Sequence, residues 1–370
     1  MADPTQTTSS VADDPGAELR TLLAETVERL FAAEVGRERV VAAEQGTWLG
    51  SVWDAAEGAG LLRPHLPEDS VGAGASFREA FVVARAVGRH TVPLPIAETM
   101  IAGWLLSRAG LEVPDGPLAL ATHPLPGTVL RGGRLDATLS GVAWGRAATH
   151  AVALVPAGPA VDVVCVPLTG AVVREGRNLA LEARDDLRIE AAPSGRGPAP
   201  FPAAALRGLG ALFRSAQMAG ALETILDLAV AYALERVQFG KPIGAFQVIQ
   251  QDLARLAGQV AAAGTAAEVA FRAASTAESF AGAIGAPGDP TFEIACAKVV
   301  VGEAAELGPR IAHQVHGAIG FTYEHSLHFA TRRLWAWRTE FGTTEEWAAL
   351  LGAATLAGGA DALWPSVTWR

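Results

Sequence analysis

The chain has 370 residues, of which 50% are hydrophobic and 18% charged, and 29 basic against 39 acidic side chains leave a net charge of −10. That length predicts two or three domains around a large core. It excludes a disordered regulator, and the negative balance without any basic stripe excludes a binder of nucleic-acid backbone. Cys165 and Cys296 are the only two cysteines, which excludes a disulfide scaffold and a cysteine zinc site and makes a reducing cytoplasm the default expectation. Lys241 and Lys298 are the only lysines, so 29 − 2 = 27 basic residues are arginine, a skew that reads as coding bias in a GC-rich genome.

Residues 1–16 are polar and acidic and read as a tail, neither a secretory nor a transit peptide. Residues 17–115 read as a helical domain. Leu22, Leu23, Val27, Leu30 and Phe31 fall at helical spacing. A loop carrying Pro67, Gly72 and Gly74 interrupts the pattern before a second helix over residues 77–88 and a short one over 100–106. From 116 to 195 short apolar runs alternate with turn residues, predicting a small antiparallel β domain or barrel. The longest apolar stretch, 151–168, carries Pro156, Pro159, Pro167 and Asp162 and predicts strand, turn, strand in place of a membrane helix.

A Pro/Gly/Ala connector over 192–203 leads into a second helical region, 196–370. Leu222, Ile225, Leu226, Ala229, Val230, Ala233 and Leu234 step by three and one, and Phe246, Ile249, Leu253, Leu256 and Val260 by three and four. With helices expected over 294–307 and 344–356, this predicts a four-helix bundle. The fold class expected is therefore α+β, multi-domain and mainly α, with helices, then strands, then a bundle. No glycine-rich turn of the Rossmann or P-loop kind is present.

Between the two long bundle helices the turn reads Glu235-Arg236-Val237-Gln238-Phe239-Gly240-Lys241-Pro242. It is a helix connector or an anion site: Arg236 offers a bidentate grip for phosphate and Phe239 a flat face for a ring. The segment Gln314-Val315-His316-Gly317-Ala318-Ile319-Gly320 has two glycines at a helix end, where a ligand approaches backbone closely or a helix simply stops. His313/His316 and His325/His328 are spaced by three, but lack the carboxylate partners of a known metal type and read as packed or solvated side chains.

Taken together, these segments resemble the acyl-CoA dehydrogenase family. RVQFGKPIGAFQVIQ (236–250) and QVHGAIGFTYEH (314–325) are similar to its two bundle signatures, and LPEDSVGAGAS (66–76) and AVGRHTVPLP (86–95) to its N-terminal ones. The resemblance implies an N-terminal helical domain, a middle β-barrel and a C-terminal four-helix bundle. It implies FAD as cofactor, an acyl-CoA thioester as substrate for α,β-desaturation, and an electron-transfer flavoprotein as acceptor. By that resemblance Arg236 contacts the pyrophosphate of a neighbouring subunit's FAD with Gln238 and Phe239 beside it, Gln314, Gly317 and Gly320 line its adenosine side, and Thr343 joins the cofactor residues. Ala318 stands where a second glycine is common.

The departures fall on the reaction itself. The family's base glutamate precedes a Gly-Thr pair, and here Phe341 precedes Gly342-Thr343. A phenyl ring cannot accept a proton, so the resemblance leaves Glu340 as a displaced catalytic base. The alternative base position, on the helix before the signature turn, falls on Gly210. Residues 121–126 lack the usual flavin-facing residues. Trp144 matches a tryptophan that packs on flavin, but Arg146 replaces a small hydroxyl residue, and its charge is expected near the ring. The pattern resembles the base-less subunit of actinobacterial α2β2 acyl-CoA dehydrogenases acting on fatty or sterol side chains, paired with a second dehydrogenase-like chain. The alternatives are a self-sufficient homo-oligomer using Glu340 and a non-catalytic acyl-CoA-binding scaffold. No nucleic acid and no membrane enters any of these readings.

Overall fold

The computed structural model describes residues 16–68, 72–121, 129–158, 160–361 and 364. Five helices come first: α1 (Ala17–Glu34), α2 (Arg37–Glu44), α3 (Gly50–Gly58), α4 (Phe77–Arg89) and α5 (Ile96–Arg108). Ser76 starts α4 with a capping box, its N–H donating to the Glu79 carboxylate at 2.8 Å while its hydroxyl accepts from the Arg78 N–H. α5 begins four residues before the apolar run that predicts it, because Pro95 precedes it and every residue from 96 to 106 is buried.

Eight strands follow: β1 (Leu118–Ala121), β2 (Val129–Arg131), β3 (Arg134–Ala143), β4 (His150–Ala157), β5 (Ala160–Pro167), β6 (Val172–Arg174), β7 (Arg184–Ala191) and β8 (Gly195–Pro198). They form two four-stranded sheets, β1-β4-β5-β8 and β2-β3-β7-β6. Ala119, Leu139, Val155, Val164 and Ile189 from both sheets share one core, so the domain is a two-sheet barrel. One feature departs from the all-antiparallel expectation: β1 runs parallel to β4, Leu118 opposite His150. The β2–β3 hairpin lies between them in sequence, which gives the connection the length a parallel crossover needs.

The bundle consists of α6 (Ala204–Glu235), α7 (Gln247–Ser275), α8 (Thr291–His316), α9 (Leu327–Trp337) and α10 (Thr344–Gly358), with a two-residue hairpin, β9 (Val237–Gln238) and β10 (Lys241–Pro242), between α6 and α7. The expected seam is real: Leu256 and Val260 are buried, and Ile249 and Leu253 pack on the same cluster. α6 is long and apolar enough to cross a membrane, yet it is the core helix here, buried without interruption over residues 208–222.

α4 and α6 meet backbone to backbone. A Cβ at Gly88 would lie 1.8 Å from the Gln217 carbonyl oxygen, and one at Gly220 would lie 2.0 Å from that of Arg85. Ion pairs flank the crossing, Arg85 Nε to Glu223 at 2.7 Å and Arg89 Nη1 to Glu223 at 3.1 Å. Gly88→Ala therefore forces the helices apart. We expect a loss of about 1–3 kcal/mol, read as a lower thermal midpoint in calorimetry; an unchanged midpoint would contradict the close crossing.

Candidate active site and cofactor surface

A cavity of about 600 Å³ opens between the barrel, α5, α6 and the turn that joins α9 to α10. Its wall includes Glu98, Ser140, Arg184, Arg214, Glu340, Phe341 and Thr343. Phe341, one of the two positions that the family resemblance marks for a base, is in this wall, and it packs against the other, Gly210 on α6. The Phe341 ring lies on the bare backbone of Gly210: a Cβ on that glycine would stand 2.0 Å from Phe341 Cδ1. Any side chain at 210 is shut out by the ring. Phe341 is held in the left-handed region, φ 58°, followed by Gly342 at φ 101°, so the turn carries backbone strain where a non-glycine residue rarely sits.

Glu340 does not serve as a free proton acceptor. Its Oε1 accepts from Arg184 Nη2 at 2.6 Å and its Oε2 from Arg214 Nε at 2.7 Å. Burial alone would push its carboxyl up, but the charges of Arg184 and Arg214 outweigh that and hold it down to about 2. A general base works best with a pKa near the operating pH. The structure thus places Glu340, the expected displaced base, between two guanidiniums that keep it ionised and occupy both of its oxygens.

The pair belongs to a longer chain of alternating charges. Glu98 on α5 accepts from Arg214 Nη2 at 2.5 Å. Glu340 links Arg214 to Arg184 at the start of β7. Arg184 also pairs with Glu182 at 3.3 Å, and Glu182 with Arg333 Nε on α9 at 3.2 Å. Trp337 Nε1 donates to Glu182 at 2.9 Å. The chain ties the helical domain, barrel and bundle together. Sequence reading missed Glu98, Glu182, Arg184, Arg214 and Arg333. The available signal was a charge inside an apolar helical run, Glu98 within 96–106 and Arg214 within 208–222.

The cavity's other polar groups are also engaged within the chain. Ser140 Oγ and the Gly141 N–H both donate to Asp186, at 2.7 and 3.0 Å. Thr343 caps α10, its hydroxyl accepting from the Glu346 N–H at 3.2 Å. Arg146, expected beside a flavin ring, turns instead to Asp185 (Nη2, 2.5 Å) and Glu175 (Nη1, 2.5 Å), because those carboxylates satisfy a charge the cavity would leave unpaired. Trp144 lines a separate crevice with Glu44 and Trp48, with the Arg184 guanidinium 5.4 Å from its ring centroid. Of the stretch 121–126, all but Ala121 lies outside the described residues.

The other sequence-marked residues gather at the far end of α6 and α8. Arg236, Gln238 and Phe239 stand on the hairpin, all exposed, Phe239 by 93% with φ 51°. Lys241 Nζ sits 4.4 Å from the Phe246 ring centroid and braces the turn. Tyr232, one helical turn before Arg236, stacks on His316 at 4.6 Å, so the hairpin and the 314–320 segment emerge at one end of the bundle. Gln314 is exposed there. Gly317 has φ 64°, with no atom within 4 Å of where a Cβ would stand. Gly320 is buried, with His316 Cβ 3.0 Å from the corresponding point. The paired histidines pack: His313 stacks on Phe321 at 4.1 Å, and burial pushes His328 down to about 4.

Comparison with known proteins agrees with this architecture. Residues 18–113 match the acyl-CoA dehydrogenase N-terminal domain and residues 208–356 the C-terminal domain. The acyl-CoA dehydrogenase IpdE2 of Mycobacterium tuberculosis is 30% identical over 323 residues, covering 85% of this chain and 91% of the relative. Two solved structures share the fold. The Tcur3481–Tcur3483 steroid ACAD has TM-score 0.80 and 21% identity over 92% of this chain and 98% of that one. The ChsE4–ChsE5 complex from Mycobacterium tuberculosis has TM-score 0.77 and 22% identity over 93% and 98%. The chain belongs to the acyl-CoA dehydrogenase family, whose members are FAD-dependent flavoproteins.

The residues of this chain fit a flavin nucleotide unevenly. The bundle end fits, with an exposed guanidinium, an exposed amide, an exposed ring and a glycine with open space beside it. The cavity fits poorly, since Ser140, Gly141, Thr343 and both arginines already have partners within the chain.

Glu340→Gln removes the shared anion and leaves Arg184 and Arg214 short of a buried partner. We expect a loss of about 3–5 kcal/mol in denaturant unfolding at pH 7. The Glu340 carboxyl is lowered from its ordinary 4.5 to about 2, so its contribution is full above pH 4.5 and falls away as pH drops toward 2. A variant as stable as wild type at pH 7 would contradict the charge chain.

Proposed function

We propose that this chain is the base-less subunit of a hetero-oligomeric acyl-CoA dehydrogenase and completes the FAD site of a catalytic partner. The observation that carries this reading is the Phe341 ring seated on Gly210, because it removes a base from both places at once. The clamped carboxylate of Glu340 supports it, since both of its oxygens are held by guanidiniums.

When bound, FAD supplies hydride acceptance from the β carbon of the acyl group. What this chain adds is binding. Arg236 would meet the diphosphate as a bidentate donor, Phe239 would cover a ring face, and Gln314 and Gly317 would line the adenosine side. Proton removal from the α carbon falls to the partner's carboxylate, and reoxidation to an electron-transfer flavoprotein. The ChsE4–ChsE5 structure is a complex of two named chains and the Tcur3481–Tcur3483 structure is a steroid ACAD. The former supports pairing with a second dehydrogenase-like chain, and the latter a bulky, steroid-derived acyl-CoA as the substrate class. The exposed apolar face of α10, where Trp347 is the one buried residue and Leu356 is 85% exposed, offers area for such a partner.

The test is flavin stoichiometry. Purified alone, the folded chain is expected to hold well under 0.1 FAD, on the order of what an incomplete site retains after dilution below its Kd. Co-expressed with a second dehydrogenase-like chain, it is expected to co-purify with bound FAD. Near one FAD per chain alone, with wash-out of α-deuterium from an acyl-CoA, would overturn the proposal in favour of a self-sufficient enzyme.

A further inference from the structure

The structure assigns to Lys298 the role of a positioning residue: its ammonium fixes the α9–α10 turn and thereby seats Phe341 on Gly210. Neither the family signatures nor the ion chain accounts for this side chain.

Lys298 lies in the middle of α8 and is fully buried. Nζ donates to the main-chain oxygens of Trp337 at 3.2 Å and Arg338 at 3.0 Å. These are carbonyls at the C-terminal end of α9, which have no partner within the helix and carry the negative end of its dipole. A cation supplying two hydrogen bonds there ends the helix at a defined residue. Three residues later the chain enters the left-handed pair Phe341-Gly342.

The far side of the turn rests on the same face of α8. Gly302, one helical turn from Lys298, leaves room for the first residue of α10: a Cβ at 302 would lie 2.1 Å from Thr344 Oγ1. α8 thus holds both ends of residues 338–343. The carbonyl oxygen of Phe341 is bonded in turn by the Trp347 indole N–H at 3.0 Å. Displacing either end moves Phe341, whose ring has no slack above Gly210.

Composition adds an independent argument. Arginine supplies 27 of the 29 basic positions, and position 298 is one of the two that carry lysine. A compact tetrahedral ammonium meets two converging carbonyls in a closed core, whereas a planar guanidinium needs more volume and a fork of acceptors. The groups facing Lys298 are Glu340, which favours its charge, and Arg207, Arg214 and Arg338, which oppose it; Arg207 and Arg214 come from α6 and Arg338 from the turn. Burial comes first, and together these push the ammonium down to about 7.

The Trp347 indole N–H is a native reporter, since it is bonded to the Phe341 carbonyl. Its ¹⁵N–¹H resonance is assigned with Trp347→Phe and followed in the full chain from pH 6 to 9, with the indole of Trp53 as control. In wild type the Trp347 signal should titrate with a midpoint near 7 while Trp53 stays fixed. In Lys298→Met, which keeps the volume and loses the donor, the Trp347 signal should be displaced and flat with pH. Its exchange with water should rise at least about tenfold relative to Trp53, the ratio expected for losing one hydrogen bond of about 1.4 kcal/mol. A role in overall stability alone would accelerate both indoles equally and overturn the assignment. If Lys298→Met does not fold, Lys298→Arg decides: a guanidinium in that space should displace the Trp347 resonance while Trp53 stays fixed, and an undisplaced Trp347 resonance overturns the assignment as well.

Discussion

The arrangement depends on one contact, the phenyl ring of Phe341 lying on the unprotected backbone of Gly210. Two positions distant in sequence, one at a turn and one inside the longest helix, have given up side-chain chemistry together. The ring needs a glycine beneath it, and the glycine needs an uncharged neighbour above it. A carboxylate at 341 would face the same helix that a carboxylate at 210 would occupy. Here the ring fills that space, and the adjoining Glu340 carboxylate turns into two guanidiniums.

Those guanidiniums fix the shape of the cavity wall around Glu340. A catalytic pocket is ordinarily held open for ligands and carries unpaired polar groups at some cost in stability. In this chain Glu98, Arg214, Glu340, Arg184, Glu182 and Arg333 pair with one another from the helical domain to the bundle, while Glu98 Oε2, Glu182 Oε1 and two Arg333 nitrogens stay without a hydrogen bond. Buried ion pairs are weak stabilisers in net terms, but breaking one is costly. The network therefore works mainly as a specification of how the barrel sits on the bundle. Chemistry lost from the cavity is matched by polar groups left unpaired at the opposite end, where the hairpin projects Arg236 and Phe239 away from the chain's own core.

Much of this was legible in the sequence. Periodicity placed α6 and α7, and turn residues marked the barrel, because helices and strands bury one face at a fixed repeat. Phe341 and Gly210 were visible as missing carboxylates. Their contact was not, since nothing in a linear string says that residues 131 positions apart pack together. Arg146 is a related case: its residue type says nothing of Asp185 and Glu175, which β7 and the loop after β6 bring within reach of its guanidinium. The parallel β1–β4 pair also escaped notice, because pairing direction is set by the connection and not by the strands. Lys298 was read only as a rarity, and its two carbonyl partners belong to another helix.

On the proposed function, the hairpin of this chain serves a flavin held together with a partner. The most direct measurement is FAD content of the co-purified assembly carrying Arg236→Ala, set against wild type by absorption. Losing a charge-assisted phosphate contact worth about 1.5–3 kcal/mol should weaken FAD binding by about ten- to a hundredfold, leaving a largely flavin-free assembly after dilution and gel filtration. Flavin content equal to wild type, in an assembly that stays intact, would contradict the claim.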